Sequence, residues 1–233
     1  FTVEVDSVTF IVDKSTPLSK ITLPAQSVTG SSLVTISGTA QEPGGAGAGV
    51  RQTEIAISKD SPGAVSWWDG TNFSAGSSSF VVVTGQLTPS NTWWWYTGFA
   101  SKLVTQSTYT VYSKSYDKAL PLPGNYETVY SSYTFAYDIS QPTSAVTRPS
   151  LSYYTDDAMG AGSSNVLMTI SGTAFDDFGM SGVKVLVQDV TRGTTFWNDS
   201  QWVNGEPAVW PDATGLNSWT YTNVISTLTD GHM

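Results

Sequence analysis

Short runs of alternating hydrophobic and polar residues dominate this chain of 233 residues. In Phe1–Asp13, the side chains of Val8, Phe10 and Val12 fall on one face of an extended strand. No segment longer than about ten residues shows the period of a helix. Short strands separated by turn residues predict an all-β fold of two-sheet sandwiches. The other predicted strands are Ser19–Pro24, Leu33–Ala40, Glu54–Ser58, Phe80–Val83, Thr92–Phe99, Thr108–Tyr116, Glu127–Asp138, Ser144–Pro149, Val166–Ala174 and Lys184–Val190.

The chain contains the same pattern twice. The motif Asp-x-Ser-x-Pro starts at Asp13 and again at Asp138, an offset of 138 − 13 = 125 residues. Further on, Ile-Ser-Gly-Thr-Ala starts at Ile36 and again at Ile170. The glycine inside this motif indicates a bulge or a close approach of neighbouring backbone. Because internal self-similarity is typical of repeated structural units, we predict tandem sandwiches of about seven strands each.

The alignment of the two copies divides the chain into three parts. Residues 1–13 align with residues 126–138 and are predicted to form the closing strand of a preceding or neighbouring module. Residues 14–138 form the first module, and residues 139–233 form a second module that lacks its last two strands. One interpretation is a window cut from a longer array. The other is strand addition, in which residues 1–13 of one copy complete the second module of another and join subunits into a fibre.

Composition disfavours several classes of protein. With 12% charged residues and a net charge of −9, the chain is a poor partner for nucleic acid. No run of about twenty apolar residues is present, so we expect no membrane span in this segment. The chain has no cysteine, and its single histidine, His232, lies close to its last residue, which disfavours a Ser-His-Asp triad. Paired carboxylates are the other catalytic option, but short loops offer no obvious deep cleft, and we expect no enzyme.

A set of motifs, considered together, resembles the bacterial Ig-like tandem domains of large cell-surface and secreted proteins. The resemblance implies Ig-like sandwiches with a structural or adhesive role outside the cell, as part of a surface fibre, stalk, adhesin or filament. Neighbouring Ig-like modules or copies of the same chain would be the partners. In such repeats the last element usually reads Ala-x-Asp-x-Ala-Gly-Asn, and here Leu120–Pro123 interrupts it. The motifs are Phe-x-x-Asp-x-Ser-x-Pro from Phe10, Ile-Ser-Gly-Thr-Ala, Gly49-Val50 and Gly182-Val183, Trp67–Gly70, Trp94-x-Tyr96, Tyr109–Val111, Ser115–Ala119 and Gly124-Asn125.

The tryptophans fall into two groups. Four occupy matching positions in the two copies and are predicted to lie in the cores, namely Trp68, Trp94, Trp197 and Trp219. Trp93 and Trp95 alternate with Trp94, so they point to the opposite face of their strand, where they leave apolar area in water. They could pack on a neighbouring module or subunit, or stack on sugar rings, and the second option makes a carbohydrate-binding module the alternative function. The same question applies to Trp67, Trp202 and Trp210.

Several aspartates are candidates for calcium binding. Calcium favours six to eight oxygen ligands, including carboxylates, and aspartates at module joints and in loops could supply some of them. The alternative is turn chemistry, in which an aspartate accepts hydrogen bonds from backbone N–H groups two residues on. Apart from calcium, no cofactor is expected. The candidates are Asp13, Asp138, Asp156, Asp157, Asp176 and Asp177.

Two N-glycosylation sequons occupy equivalent turns. They are Asn72-Phe73-Ser74 and Asn198-Asp199-Ser200. Their equivalence predicts that this turn is exposed in both copies, and it makes Asn72 and Asn198 the glycosylation candidates.

Overall fold

The computed structural model describes residues 7–8, 10, 12–30, 32–45, 47–61, 64–88, 91–154, 167 and 169–223. The chain divides into two units, the first ending at Ile139 and the second beginning at Ser140. Both units are built of β-sheets, almost entirely antiparallel. The helical segments in the described ranges are single 3-10 turns such as Ala100–Lys102. The prediction of an all-β chain is therefore confirmed.

The described residues of the first unit form eleven strands. They are β1 (Leu18–Leu23), β2 (Val28–Thr29), β3 (Ile36–Gln41), β4 (Val50–Ser61), β5 (Ala64–Trp68), β6 (Phe73–Ala75), β7 (Val81–Val82), β8 (Thr84–Thr88), β9 (Asn91–Tyr96), β10 (Ser107–Asp117) and β11 (Ser131–Tyr137). One sheet has the order β1-β3-β9-β8. The other has the order β2-β11-β10-β4-β5-β6, with β7 paired to β4.

The core of the first unit contains buried side chains from both sheets. Strand β10 alternates strictly, with Tyr109 and Val111 fully buried and the residues between them half-buried. From the four-stranded sheet, Ile36 and Trp94 are fully buried in the same cluster. Trp68 is also buried, and its indole N–H donates to the Tyr96 hydroxyl at 2.7 Å. Two sheets that share one apolar interior are consistent with a β-sandwich.

A glycine lets a tryptophan ring lie against the backbone of the neighbouring strand. Gly38 of β3 pairs with Trp94 of β9, and a Cβ at Gly38 would lie 2.3 Å from Cζ2 of that indole. The same Cβ would lie 2.1 Å from the carbonyl oxygen of Lys20. No side chain fits there, which confirms the close approach predicted for this position.

The second unit contains six described strands. They are β12 (Thr143–Arg148), β13 (Ile170–Phe175), β14 (Gln188–Asp189), β15 (Thr195–Trp197), β16 (Trp202–Asn204) and β17 (Ser218–Tyr221). They form two sheets, ordered β12-β13-β17 and β14-β15-β16. Buried side chains from both sheets, including Trp197 and Trp219, form its core. The four tryptophans predicted to be core residues are therefore confirmed as such.

The two units repeat one local pairing. Ile21 of β1 pairs with Gly38, and Val146 of β12 pairs with Gly172 of β13, each just before an irregularity in the register. Trp219 of β17 lies opposite Gly172, as Trp94 lies opposite Gly38. A Cβ at Gly172 would lie 2.2 Å from Cζ2 of Trp219.

The prediction of a continuous third strand in the second copy, over Lys184–Val190, is wrong. Lys184 forms an isolated bridge with Asp212, and only β14 is paired in a ladder. In the first unit the corresponding strand β4 lies between β10 and β5. In the described part of the second unit no strand occupies the place of β10, so this ladder is short.

The first unit also has more strands than the seven or so that the pattern predicts. Strand β7 lies within the predicted strand Phe80–Val83, whereas β8 was not predicted, and the short strands β2, β5 and β6 add to the number. Among residues 1–13, none of those described lies in a strand, and Val8, Phe10 and Val12 are 85%, 79% and 65% exposed. The prediction that this segment closes another module, like the prediction of an Ig-like strand order, stays a prediction.

Candidate functional site

Three carboxylates meet at one end of the first unit. Asp13 lies in the segment that enters β1, Glu42 follows β3, and Asp117 is the last residue of β10. Because β1 and β3 are antiparallel, with Leu18 opposite Gln41, the start of one strand adjoins the end of the other. One oxygen atom from each carboxylate lies within 4.8 Å of the others. We call these three residues the acidic cluster.

Asp13 is held in place by two backbone N–H groups. The Ala48 N–H donates to Oδ2 at 2.6 Å, and the Ser15 N–H donates to Oδ1 at 2.9 Å. The Ser15 hydroxyl also donates to Oδ1. The hydrogen bond from Ala48, followed by that from the Ser15 hydroxyl, lowers the pKa of Asp13 below its usual value. This carboxylate is therefore ionised at neutral pH and fixed in orientation.

Asp117 is completely buried and lies inside a tight loop. Its Oδ1 accepts from the N–H groups of Ala119 at 3.0 Å and Asn125 at 2.7 Å, and its Oδ2 accepts from Nδ2 of Asn125 at 2.7 Å. Gly124 has a positive φ of 83°, and a Cβ there would lie 2.3 Å from Oδ1 of Asp117. The insertion Leu120–Pro123 therefore does not separate Asp117 from Asn125, because the chain folds back across it.

Asn125 also connects the loop to the entering segment. Its Nδ2 lies 3.3 Å from the carbonyl oxygen of Asp13, to which it donates. Nearby along β10, the Ser115 N–H donates to Glu127 at 2.6 Å, and the same buried carboxylate accepts from the Ser19 N–H of β1 at 2.7 Å. This end of the unit is thus tied together by side chains that bridge its two sheets.

Glu42 is the least satisfied member of the acidic cluster. Its Oε2 accepts from the Ser15 hydroxyl at 3.0 Å, whereas its Oε1 is buried and has no hydrogen-bond partner. Burial raises the pKa of Glu42 above its usual value, and the charges of Asp13 and Asp117 raise it further. A buried carboxylate oxygen with no donor is costly unless something positive offsets it.

The space beside the acidic cluster is compatible with a cation. A Cβ at Gly47 would lie 2.8 Å from Oε2 of Glu42 and 3.0 Å from Oδ2 of Asp13, so glycine keeps this volume open. Carboxylate oxygens are the ligands that calcium prefers. Asp13, Glu42 and Asp117 are therefore the residues that fit calcium, with the orphaned Oε1 of Glu42 as one available ligand atom.

The other calcium candidates do not join this cluster. Asp138 accepts from the Thr105 hydroxyl at 3.1 Å, and Asp176 accepts from the Phe178 N–H at 3.0 Å in a turn. Asp177 is exposed. Among the described residues, the acidic cluster is the only group of three or more potential ligands close enough to share a metal ion. Asp156 and Asp157 lie outside the described residues, as does His232.

Sequence reasoning identified Asp13 and missed Glu42 and Asp117 as ligands. A signal for them was present: the acidic residue that follows each Ile-Ser-Gly-Thr-Ala motif, and the Asp-to-Asn spacing that ends in Gly124-Asn125. Neither signal shows by itself that the two segments lie at the same end of the unit as Asp13.

The remaining candidate tryptophans lie in different surroundings. Trp93 and Trp95 stack on each other, with ring centroids 4.5 Å apart. The ring centroids of Trp67 and Tyr112 are 5.6 Å apart. Trp202 lies edge-on to the core residue Trp197, also with 5.6 Å between ring centroids. The Trp210 indole N–H donates to Glu206 at 2.6 Å, and the residue is 39% exposed.

Both sequons lie in hydrogen-bonded turns. The backbone N–H of Asn72 donates to Asp69 Oδ1 at 2.8 Å, so this bond does not involve the Asn72 side chain, and the residue is exposed. Oδ1 of the half-buried Asn198 accepts from the Ser200 hydroxyl at 2.9 Å and from the Gln201 N–H at 2.9 Å. The prediction of an exposed turn is confirmed for Asn72, and glycosylation itself stays a prediction at both sites.

Comparison with known proteins gives the chain no family. No protein-family model matches it, and no curated protein gives a significant match. Within the described ranges there is no helix of the length and apolarity that crossing a bilayer requires. The function must therefore be argued from the geometry of the chain itself.

Proposed function

We propose that this chain is a non-enzymatic structural segment of an extracellular Ig-like repeat protein, part of a surface fibre, stalk, adhesin or filament. In this proposal calcium bound at the acidic cluster stiffens the segment that enters the first sandwich. The observation that carries the proposal is the origin of the three carboxylates. Asp13 comes from the segment that enters the unit, whereas Glu42 and Asp117 belong to the ends of strands within it.

This geometry gives the cluster a mechanical role. While Asp13 shares a ligand sphere with Glu42 and Asp117, the entering segment cannot swing away from the end of the sandwich. Bound calcium supplies the positive charge that offsets the mutual repulsion of the carboxylates. The hydrogen bonds from Asn125 to both Asp13 and Asp117 already hold the two segments in register.

Two further features support a repeat protein. The matching registers around Gly38 and Gly172, each covered by a tryptophan, are what duplication of one module would produce. Arrays of this kind contact mainly their neighbours and use repetition to set length. The exposed Val8, Phe10 and Val12 agree with a segment that pairs with a preceding module or with another copy of the chain by strand addition.

Limited proteolysis tests the cation-dependent joint. Trypsin cleaves after Lys14, which is exposed and lies between the cluster residue Asp13 and Ser15, whose hydroxyl contacts Asp13 and Glu42. Cleavage requires the segment to leave the acidic cluster, so it samples a local opening. With calcium at a hundred times its dissociation constant, the cleavage rate after Lys14 should fall about a hundredfold relative to chelator.

Cleavage after Lys102 provides the internal control. Lys102 is exposed in a 3-10 turn that precedes the start of β10, at the end opposite Asp117, and calcium should leave its cleavage rate unchanged. Equal rates after Lys14 in calcium and in chelator would contradict the proposed joint.

Pulling the chain by its ends in a force spectrometer tests the mechanical role. Calcium should raise the unfolding force of the first unit alone, and a force that is independent of calcium counts against load bearing.

A further inference from the structure

The outer face of the four-stranded sheet carries a pair of stacked indoles. Trp93 and Trp95 project from β9 on the side opposite the buried Trp94, and their planes are 26° apart with centroids at 4.5 Å. Trp93 is 43% exposed, whereas Trp95 is half-buried. Trp95 therefore covers one face of the Trp93 ring and fixes its orientation, and much of the rest of Trp93 stays in contact with solvent.

The fold does not require these two indoles. In the second unit, β17 pairs with β13 in the same register as β9 pairs with β3, with a tryptophan opposite the glycine in both. The positions that flank Trp219 are Ser218 and Thr220. Because the second unit forms the same strand pairing with small polar residues at these positions, the exposed aromatic area of the first unit needs an explanation other than stability.

Most residues that lie in register with the indoles are polar. Thr39 of β3 lies opposite Trp93, and Lys20 of β1 lies opposite Thr39, in a row across the sheet. Ser37 and Thr84 flank Trp95 from the strands on either side. The rows are completed by Gln86 of β8 opposite Trp93 and by Leu23 of β1 opposite Ser37. Hydroxyl groups thus flank the pair on the neighbouring strands, and these rows contain no carboxylate.

The size of the apolar area favours a small ligand over a protein. A stable protein interface buries about 800 Å² on each partner around an apolar core. Burying a whole tryptophan contributes only about 150–250 Å², and Trp95 is already half covered. One exposed aromatic ring with hydroxyl groups on the neighbouring strands is instead the size of one pyranose ring. Sugars combine an apolar C–H face with equatorial hydroxyl groups, so they match both features.

We propose that the outer face of β9 binds a neutral glycan, with a pyranose ring stacked on the exposed indole of Trp93. Trp95 packs against the Trp93 indole and fixes its orientation before the sugar binds, which lowers the ordering cost of binding. The hydroxyl groups of Thr39 and Thr84 are placed to bond the sugar hydroxyls. This activity does not depend on calcium or on the acidic cluster, because it uses a different part of the first unit.

The experiment is binding of the whole chain to immobilised hexasaccharides of glucose, xylose, mannose and N-acetylglucosamine, in chelator. At least one should bind the wild type, and Trp93→Ala should weaken that binding roughly thirtyfold or more, the loss typical of truncating an aromatic hot spot. Trp95→Ala should weaken it less, and Trp93→Phe should restore part of it. Trp210→Ala removes an exposed indole of the second unit and serves as the matched control, which should bind like the wild type.

Three results would overturn the proposal. One is the absence of binding to any of these sugars by a folded wild type. The second is binding that Trp93→Ala leaves intact. The third is self-association of the wild type in sedimentation that Trp93→Ala abolishes, since this would make the indole pair a protein interface. Unchanged melting curves of the variants confirm that lost binding does not come from lost folding.

Discussion

Replacing Glu42 with glutamine removes one charge from the acidic cluster at nearly constant volume. Burial and the neighbouring carboxylates raise the pKa of Glu42, which means that its negative charge is unfavourable in the folded state. In chelator, the variant should therefore be as stable as the wild type or more stable. With calcium at a hundred times its dissociation constant, the wild type gains about 2.7 kcal/mol of unfolding free energy. For a unit of this size, 1 kcal/mol corresponds to roughly 3–5 °C in melting temperature, so calcium should raise it by about 10 °C.

The same arithmetic predicts a smaller gain for Glu42→Gln. If the substitution weakens calcium binding tenfold, the gain at the same calcium concentration falls to about 1.4 kcal/mol, or roughly 5 °C. The assay is a pair of thermal melts of the full chain, in chelator and in about 10 mM calcium, which exceeds the dissociation constants of weak extracellular sites. Differential scanning calorimetry resolves the transition of the first unit from that of the second.

The matched control is Asp60→Asn. Asp60 is an exposed carboxylate near the far end of β4, so its substitution changes the net charge equally and leaves the cluster intact. This variant should keep the full calcium-dependent shift. An equal shift in the wild type and in Glu42→Gln would refute the assignment of Glu42 as a ligand. A wild-type melting temperature unaffected by calcium would refute the metal site itself.

Three other substitutions or conditions follow from the geometry. Gly47→Ala should weaken calcium binding about tenfold with little effect on stability in chelator, as measured by calcium titration and melting, because the atoms nearest to its Cβ belong to the side-chain carboxylates of Glu42 and Asp13 and not to the backbone. Gly38→Ala should destabilise the first unit by about 3 kcal/mol or more in chemical denaturation, because its Cβ would overlap backbone and a buried indole, whereas Gly76→Ala has open space around it. Lowering the pH through the depressed pKa of Asp69 should loosen its turn and reduce the hydrogen-exchange protection factor of the Thr71 amide, because a carboxylate whose pKa is lowered by folding loses its stabilising effect as the pH falls through the folded value.

Each of these predictions has an outcome that would contradict it. Unchanged calcium affinity in Gly47→Ala would show that the cation does not occupy the volume beside that glycine. A Gly38→Ala variant as stable as Gly76→Ala would contradict the close packing of Trp94 on the backbone. For the turn, Asp69→Asn should abolish the pH dependence of the Thr71 protection factor, and persistence of that dependence would assign it to another group.

The periodicity of the sequence predicted most strands of the first unit because one face of each is buried. In β10 the inward residues alternate with outward ones over its whole length, and the pattern is readable without any structure. Strand β8 was missed because its residues, Thr84–Thr88, contain glycine and little apolar alternation. Its pairing depends on the neighbouring strand β9, which a single-segment pattern does not contain.

The error in the second unit has the same physical origin. Lys184–Val190 was matched to β4 by its position in the repeat, and Val185 within it is buried, as is the preceding Val183. A ladder also needs a partner whose backbone groups lie alongside, and in the described chain the place of β10 is not filled. The pattern of side chains thus predicts burial more reliably than it predicts hydrogen-bonded pairing.

By itself, the sequence determined the all-β class, the buried tryptophans and the close approach at Gly38, because these depend on local alternation, on the match between the two copies and on the size of one residue. Only the tertiary structure decided that Asp13, Glu42 and Asp117 share one site, since they come from segments far apart in the chain. It also decided that Asp117 and Asn125 bond across the Leu120–Pro123 insertion. A cluster of like charges forms only where strand ends converge, and convergence depends on register and direction across the sheets, which no single segment encodes.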